Sequence, residues 1–446
     1  MCWSDLPWID HRYLSEVIGR YGSPVYLFRP DVLLNNCRQL QGLAGFGDTW
    51  RPFYMAKANW LPQVLKIVSA AGVGVTVSSE FELAVAQDVG VDPDDIVVAG
   101  PAKSESFLLR CIRGRVNMIM VESHEEALAI ENLADKEGRT VRVGCRCSLG
   151  LGVHRRSRLL SCRAGGPGGK FGWPGREIID ASRAIGRLQR LKLCALSTNL
   201  GSQICRPRVY CHALQELQAV SDRLRVEGLT MTHINIGGGF AVSGITKSYP
   251  GVLARLTDVL TGTSIGPRFE RWRPDCAMEQ LIPDLCRQLE RTPDTGLMIE
   301  PGRWMVAESM ALLVTIVRVV RRSTGTWVYA DGGIDVLPDA GFGEQRPILA
   351  VLADDTGGDG RQQCRIAGPL CLKSDIFTRN AHLPRNIREG DFLLIHCAGA
   401  YGFSRASWFG GRLPGVVAID DGSRETQLLW PSLDEEQLRK MAASVG

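Results

Sequence analysis

Lysine is scarce in this sequence: nine lysines stand against 43 arginines in 446 residues. A guanidinium stays protonated, whereas a lysine amine can be tuned into a nucleophile or a Schiff-base former. Any amine chemistry therefore falls to position 57, 66, 103, 136, 170, 192, 247, 373 or 440. Lys57 differs from a solvated surface charge because it follows an apolar run, in Tyr54-Met55-Ala56-Lys57-Ala58-Asn59. Far downstream, Gly237-Gly238-Gly239 would let backbone N–H groups approach an anion closely. Glu300-Pro301-Gly302-Arg303 adds a carboxylate and a guanidinium, and Gly201-Ser202 adds N–H and hydroxyl donors. Each is ordinary alone, since a triple glycine is usually a turn and a lone lysine usually a surface charge.

Their positions in the pattern of elements give them weight. Short apolar runs recur at 52–56, 73–77, 96–100, 117–121, 141–147, 191–197, 232–236 and 297–300, with amphipathic segments between most of them. Ser123-His124-Glu125-Glu126 reads as a capping box opening one such helix. Eight strand–helix units predict a (β/α)8 TIM barrel, with an open doubly wound sheet as the structural rival. Lys57, Gly201-Ser202, the three glycines and Glu300 then fall at the ends of the first, sixth, seventh and eighth strands. Barrel enzymes place reacting groups at those ends and favour phosphate after strands 7 and 8. An anion cradle, an amine and a carboxylate at one mouth point to pyridoxal 5′-phosphate.

Beyond about residue 305 the pattern changes to β-rich runs at 311–321, 327–331, 347–352, 363–368, 391–397 and 415–420, separated by Gly, Pro and Asp. This predicts a C-terminal all-β domain. The early run 24–28 is expected to pair with it. The organisation expected is an N-terminal segment 1–44, a barrel 45–302 and a β-domain 303–446. Residues 160–176, rich in Gly and Pro, read as a long loop.

Composition narrows the class. The chain is 45% hydrophobic and 22% charged, as soluble globular proteins are. A net charge of +4 from 52 basic and 48 acidic residues gives no reason to expect a nucleic-acid partner. The 14 cysteines show no zinc-site spacing, so no metal is expected, and they read as reduced thiols of a cytoplasmic protein. Residues 1–10 lack the basic and apolar regions of a secretory signal. The longest apolar run, 307–320, contains Glu308 and Arg318, so no membrane partner is expected.

Six segments together resemble the fold-type III pyridoxal-phosphate decarboxylases, the family of diaminopimelate, ornithine and arginine decarboxylases, and most of all the first. The resemblance runs from about residue 23 to about residue 420. Tyr54-Met55-Ala56-Lys57-Ala58-Asn59 resembles the cofactor-lysine motif, Leu200-Gly201-Ser202-Gln203 the family's HxGSQ motif, and residues 234–240 the glycine loop. Glu300-Pro301-Gly302-Arg303, Gly368-Pro369-Leu370-Cys371 and residues 398–403 complete the set in the family's order. The resemblance implies that Lys57 holds the cofactor as a Schiff base and that Glu300 keeps its pyridine nitrogen protonated. It implies that Ser202, Gly238, Gly239, Arg303 and Tyr401 hold the phosphate, with Glu82 and Arg146 nearby. It also implies that Cys371 reaches the site of a partner subunit and returns the proton to Cα, which makes the enzyme a homodimer with shared sites.

The departures from the family pattern bear on the substrate. Asn199 stands where the family stacks a histidine on the cofactor, and Thr76 where many members have aspartate. Leu372 and Lys373 follow Cys371, where an acid commonly meets a distal substrate amine. The family's carboxylate-gripping segment is replaced near Asp339, with Arg346 a few residues on. The expectation is a decarboxylase of specialised metabolism acting on a modified, conjugated or carrier-linked amino acid. A diaminopimelate or other basic amino-acid decarboxylase, a racemase or epimerase of the same fold type, and an inactive decarboxylase-like binding protein are the alternatives. Glu300 weighs against racemases that pair the pyridine with arginine, and Lys57 and Cys371 weigh against an inactive protein.

Overall fold

The structure, a computed structural model, describes residue 3 and residues 6–149, 170–249, 268–271, 274–290, 294–353, 360–433 and 435–443. Most of the loop expected at 160–176 lies outside these residues. The chain divides into two compact units, one of residues 33–241 and 274–305, the other of residues 1–32, 242–273 and 306–446.

The chain starts with helix α1 (His11–Tyr21) and strand β1 (Val25–Phe28). The following strands are β2 (Trp50–Met55), β3 (Gly74–Val77), β4 (Ile96–Val98), β5 (Met118–Val121), β6 (Val141–Ser148), β7 (Trp173–Pro174), β8 (Leu191–Thr198) and β9 (His233–Asn235). After β10 (Thr246–Tyr249) and β11 (Arg268–Arg271) comes β12 (Gly296–Ile299). Strands β2 to β6, β8, β9 and β12 pair in parallel, each with its neighbour, and β12 pairs back to β2. The result is the closed eight-stranded barrel that the eight apolar runs predict, and closure excludes the open sheet.

Every residue of β3, β4 and β5 is buried, because such strands face the lumen on one side and helices on the other. Phe53, Val97, Met118, Met120, Cys194 and Met298 pack in one buried cluster. Gly74 makes room for it, since a Cβ there would lie 2.4 Å from the Phe53 ring. Helices α2 (Pro30–Gln41), α3 (Pro62–Ala70), α4 (Glu80–Asp88), α5 (Glu105–Arg113) and α6 (His124–Lys136) flank these strands in sequence. Ser79, Ser104 and Ser123 cap the last three by accepting the amides of Glu82, Phe107 and Glu126. Each cap is worth about 1 kcal/mol. Because each helix starts just past a strand end, the caps and the reactive residues share the barrel mouth.

The second unit is built on β1 with β13 (Met310–Arg322), β14 (Gly325–Ala330), β15 (Glu344–Gln345), β16 (Ile348–Val351), β17 (Arg361–Ala367), β18 (Ile376–Pro384), β19 (Phe392–Ile395), β20 (Gly415–Ile419) and β21 (Thr426–Trp430). Its main sheet runs β18-β17-β14-β13-β1-β20-β21, and β19 bridges β13 and β16. β1 pairs antiparallel with β13 and parallel with β20. Leu14 and Val17 of α1 join Val25, Leu313, Leu394 and Val417 in the core of this unit. Strand β10 pairs with β11 and with β15, which accounts for the grouping of 242–273 here.

Candidate active site

Lys57 sits on a single 3-10 turn, Ala56–Ala58, at the end of β2. The turn is held from below, where buried Tyr54 donates its hydroxyl to the carbonyl of Asn59 at 3.0 Å and Asn59 Oδ1 accepts the amide of Leu61 at 3.1 Å. Gly302 packs against the same turn, 3.0 Å from Ala58 when a Cβ is added. The amine reaches solvent, yet the surrounding wall of protein lowers its pKa below the ordinary lysine value. Glu300 opposes that shift, Arg146 adds to it, and Glu82 and Glu122 oppose it. Four charged groups, from β6, helix α4 and the residues just after β5 and β12, thus act on one amine.

Glu300 ends β12. Its Oε1 accepts Nδ2 of Asn235 at 3.0 Å and the Thr76 hydroxyl at 3.4 Å. Asn235 in turn accepts the amide of Gly237 on Oδ1 at 2.8 Å. It therefore couples the carboxylate to the glycine loop. Glu82 is buried, and its carboxylate accepts the Ser78 amide at 2.7 Å, while desolvation raises its pKa. Arg146 pairs with Glu122 at 2.5 Å, and its guanidinium lies 4.5 Å over Phe171.

The glycine loop is locked by close backbone approach. A Cβ on Gly238 would fall 2.2 Å from the Glu300 carbonyl oxygen, and one on Gly239 would fall 2.4 Å from that of Gly201. Gly239 has φ +84°, and its carbonyl accepts the Ile204 amide at 2.8 Å, which joins this loop to 199–204. Asn199 Oδ1 accepts the Gly201 amide at 3.1 Å and so shapes the turn that presents exposed Ser202. Among the described residues the amides of Gly238 and Gly239 donate to no acceptor, as an anion cradle requires. Arg303, buried, begins the short helix after Gly302. The barrel unit thus brings together Lys57, Glu82, Arg146, Asn199, Ser202, Gly238, Gly239, Glu300 and Arg303. An amine, a fixed carboxylate and a cradle that a single Cβ would fill suit pyridoxal 5′-phosphate.

The remaining expected residues belong to the other unit. Cys371 is the exposed thiol among the described cysteines. It lies in the turn from β17 to β18, and Asp375 ties that turn down. The Asp375 carboxylate accepts the amides of Leu370 and Ile334, each at 2.8 Å. Leu372 and Lys373 are exposed beside the thiol. Tyr401 adopts φ +59°, a conformation that non-glycine residues take chiefly where surroundings enforce it. Asp339 and Arg346 are buried and 3.5 Å apart, with Arg405 on Asp339 and Glu344 on Arg346. Nη1 of Arg346 is a buried donor without an acceptor among the described residues.

Sequence reasoning missed Asn235, Glu122 and Asp375. The first stands inside the glycine motif, one residue before Ile236, and strand alternation alone would have marked it as inward-facing. Nothing in spacing distinguished the other two.

A parallel barrel with this mouth defines a pyridoxal-phosphate enzyme. Residues 35–307 match the family "Pyridoxal-dependent decarboxylase, pyridoxal binding domain", and the chain belongs to that family. It is 24% identical to diaminopimelate decarboxylase of Archaeoglobus fulgidus over 92% of this chain and 91% of the other. It is 26% identical to L-glutamyl-[BtrI acyl-carrier protein] decarboxylase of Niallia circulans, over 94% and 93% of the two chains. The crystal structure of Helicobacter pylori diaminopimelate decarboxylase with L-lysine superposes with a TM-score of 0.81 at 22% identity, covering 97% of this chain and all (100%) of that one. The protein is a pyridoxal-phosphate-dependent amino-acid decarboxylase. Among the described residues no helix is long and apolar enough to cross a membrane.

Proposed function

We propose that this decarboxylase acts on an amino acid whose distal end is masked, conjugated or carried as a thioester on a carrier protein, in specialised metabolism such as siderophore or antibiotic biosynthesis. The observation that carries this reading is the Cys371 turn. Its exposed neighbours are Leu372 and Lys373, and its one carboxylate, Asp375, faces inward onto backbone amides. A free distal ammonium finds no counter-charge in that turn and meets Lys373 instead, whereas an apolar, acidic or thioester-linked tail fits it. The relative named for a glutamyl-carrier substrate matches this chain about as well as the diaminopimelate decarboxylases do, which supports the same choice.

The residue roles follow from chemistry. Pyridoxal 5′-phosphate, when bound, supplies the electron sink for the charge left on Cα as CO2 departs. Lys57 would attach it, and crowding keeps more of that amine neutral and nucleophilic. Glu300, oriented by Asn235 and Thr76, would hold the proton on the ring nitrogen. Ser202, Gly238, Gly239, Arg303 and Tyr401 would bind its phosphate. Asn199 is engaged with Gly201, so ring positioning would rely on Glu300 and the cradle more than on stacking. Glu82 and Arg146 would set the field around the amine. Cys371 would return the proton to Cα from its Sγ, supplied by a second copy of this chain. Exposed Phe342, Trp408 and Phe409 in the same unit support self-association. Asp339 and Arg346 would bind the substrate's far carboxyl or carbonyl through the donor left on Arg346. A reducing, cytoplasmic setting agrees with the twelve free thiols described.

The test is CO2 release from free meso-diaminopimelate, ornithine, arginine and glutamate, set against glutamate loaded as a thioester on an acyl-carrier protein. The loaded carrier should be turned over far faster than any free amino acid. Rapid turnover of free meso-diaminopimelate or ornithine would refute the reading.

A further inference from the structure

The strands that lead into and out of the Cys371 turn carry an arginine-dominated outer face. On β17, Arg361 and Gln363 are exposed and Arg365 half-buried, while the intervening Cys364 and Ile366 are buried. Register carries the same face across the sheet. Arg365 lies opposite Trp327 on β14, and Trp327 lies opposite Val320 on β13, flanked by Arg318 and Arg322. Four guanidiniums therefore share one sheet face.

Among the described residues their charge is largely uncompensated. Arg361 gives Nε and Nη2 to the carbonyl of His382 at 3.0 and 2.9 Å, and Arg365 gives Nη1 to the carbonyl of Thr324 at 3.0 Å. Carbonyls hold a guanidinium in place without cancelling its charge. Among the described residues the carboxylate paired with this face is Glu389, 3.4 Å from Arg318. Among the described residues Arg322, Arg361 and Arg365 have no acid within ion-pair distance. Arg379 and Arg385 add exposed positive charge at the rim. In a chain with 52 basic and 48 acidic residues, this is segregation among the described residues rather than composition.

Two macromolecular partners suit a positive face, and the aromatic residues decide between them. Trp327 and Tyr329 stack at 6.1 Å, and Arg365 lies 5.4 Å over the Trp327 ring. That ring is already covered, so the face offers charge and not a platform for nucleobases. We propose that it docks an acidic carrier protein, the one that presents the amino acid; this rests on the carrier-linked reading above. The placement suits delivery. Arg365 and Cys371 are six residues apart on one continuous strand and turn, at most about 20 Å, within reach of a pendant thioester arm. Charge complementarity of this kind speeds encounter and excludes neutral partners.

The probe is an acyl-carrier protein loaded with glutamate, compared with glutamate on a short pantetheine thioester, using wild type and the R361E/R365E variant. In the variant, KM for the loaded carrier should rise at least tenfold with kcat unchanged, while both constants for the short thioester stay the same. The difference should shrink as salt is raised. An unchanged KM overturns the proposal. Should wild type decarboxylate neither thioester, the substrate reading fails. Docking is then decided by fluorescence anisotropy of the labelled carrier, which should bind wild type and lose at least tenfold in affinity for the variant. Equal binding, no binding, or displacement of the carrier by a single-stranded RNA oligonucleotide overturns it. Thermal melting of the variant confirms that it folds.

Discussion

Asn235 donates from Nδ2 to Oε1 of Glu300 across 3.0 Å, and the same side chain accepts the Gly237 amide at 2.8 Å. One residue therefore sets both the carboxylate and the cradle, two features that sequence separates by more than sixty positions. Replacing Asn235 with Ala removes both bonds, each worth about 1 kcal/mol. Cofactor affinity in Asn235→Ala should fall about tenfold or more, measured by fluorescence titration with pyridoxal 5′-phosphate. Unchanged affinity would mean that Glu300 and the loop hold their places unaided.

Asp375 ties down the turn that carries Cys371 by accepting the Leu370 and Ile334 amides. In Asp375→Ala the Leu370 and Ile334 amides lose their shared acceptor and the turn loosens. The variant should lose at least tenfold in kcat at unchanged cofactor affinity, and Cys371 should alkylate at an altered rate. A purely structural role would lower the melting temperature while leaving kcat of the folded fraction intact, which separates the two.

The proposed shared site predicts complementation. Lys57→Ala and Cys371→Ala homodimers should each be nearly inactive. Mixing them with exchange of subunits gives some dimers with one intact site, so activity should recover to roughly a quarter of wild type at equal mixing. No recovery would place Cys371 in the site of its own chain or outside any site.

His233, at the start of β9, is lowered from 6.5 to about 4 by burial and then by nearby Arg142. Between those pH values the unfolded chain holds more protons, so stability rises with pH from about 4 to 6.5 and is lost as pH falls. In His233→Gln that acid slope should flatten by on the order of 2 kcal/mol, read from urea unfolding at pH 4.5 and 7. An equal slope in both proteins would remove this histidine from the acid response.

Much of this was legible in the chain, for physical reasons. Dense apolar runs mark buried parallel strands, so all eight barrel strands stood out, while closure was settled by the pairing of β12 with β2. The residues at strand ends were legible because their types are unusual there: Lys57, three glycines, Glu300. Strands β18 and β21 were not, since β18 carries Arg379, Asn380 and a terminal Pro384 and β21 lies half-exposed at an edge. Two-residue β7 and β15 are too short to leave a pattern. Glu122 and Asp375 escaped because their partners Arg146 and Ile334 lie in segments distant in sequence, which spacing does not encode, whereas alternation along β9 does point Asn235 inward. Asn199 was seen as a departure, and its bond to Gly201 shows what it does instead.

Lys57 is proposed as the amine that carries the cofactor. Borohydride reduction of the purified protein supplemented with pyridoxal 5′-phosphate, followed by peptide mass mapping, tests it most directly. One stable pyridoxyl-phosphate adduct is expected, on the peptide containing Lys57, and it should be lost in Lys57→Ala. An adduct on another of the nine lysines, or none, would contradict it.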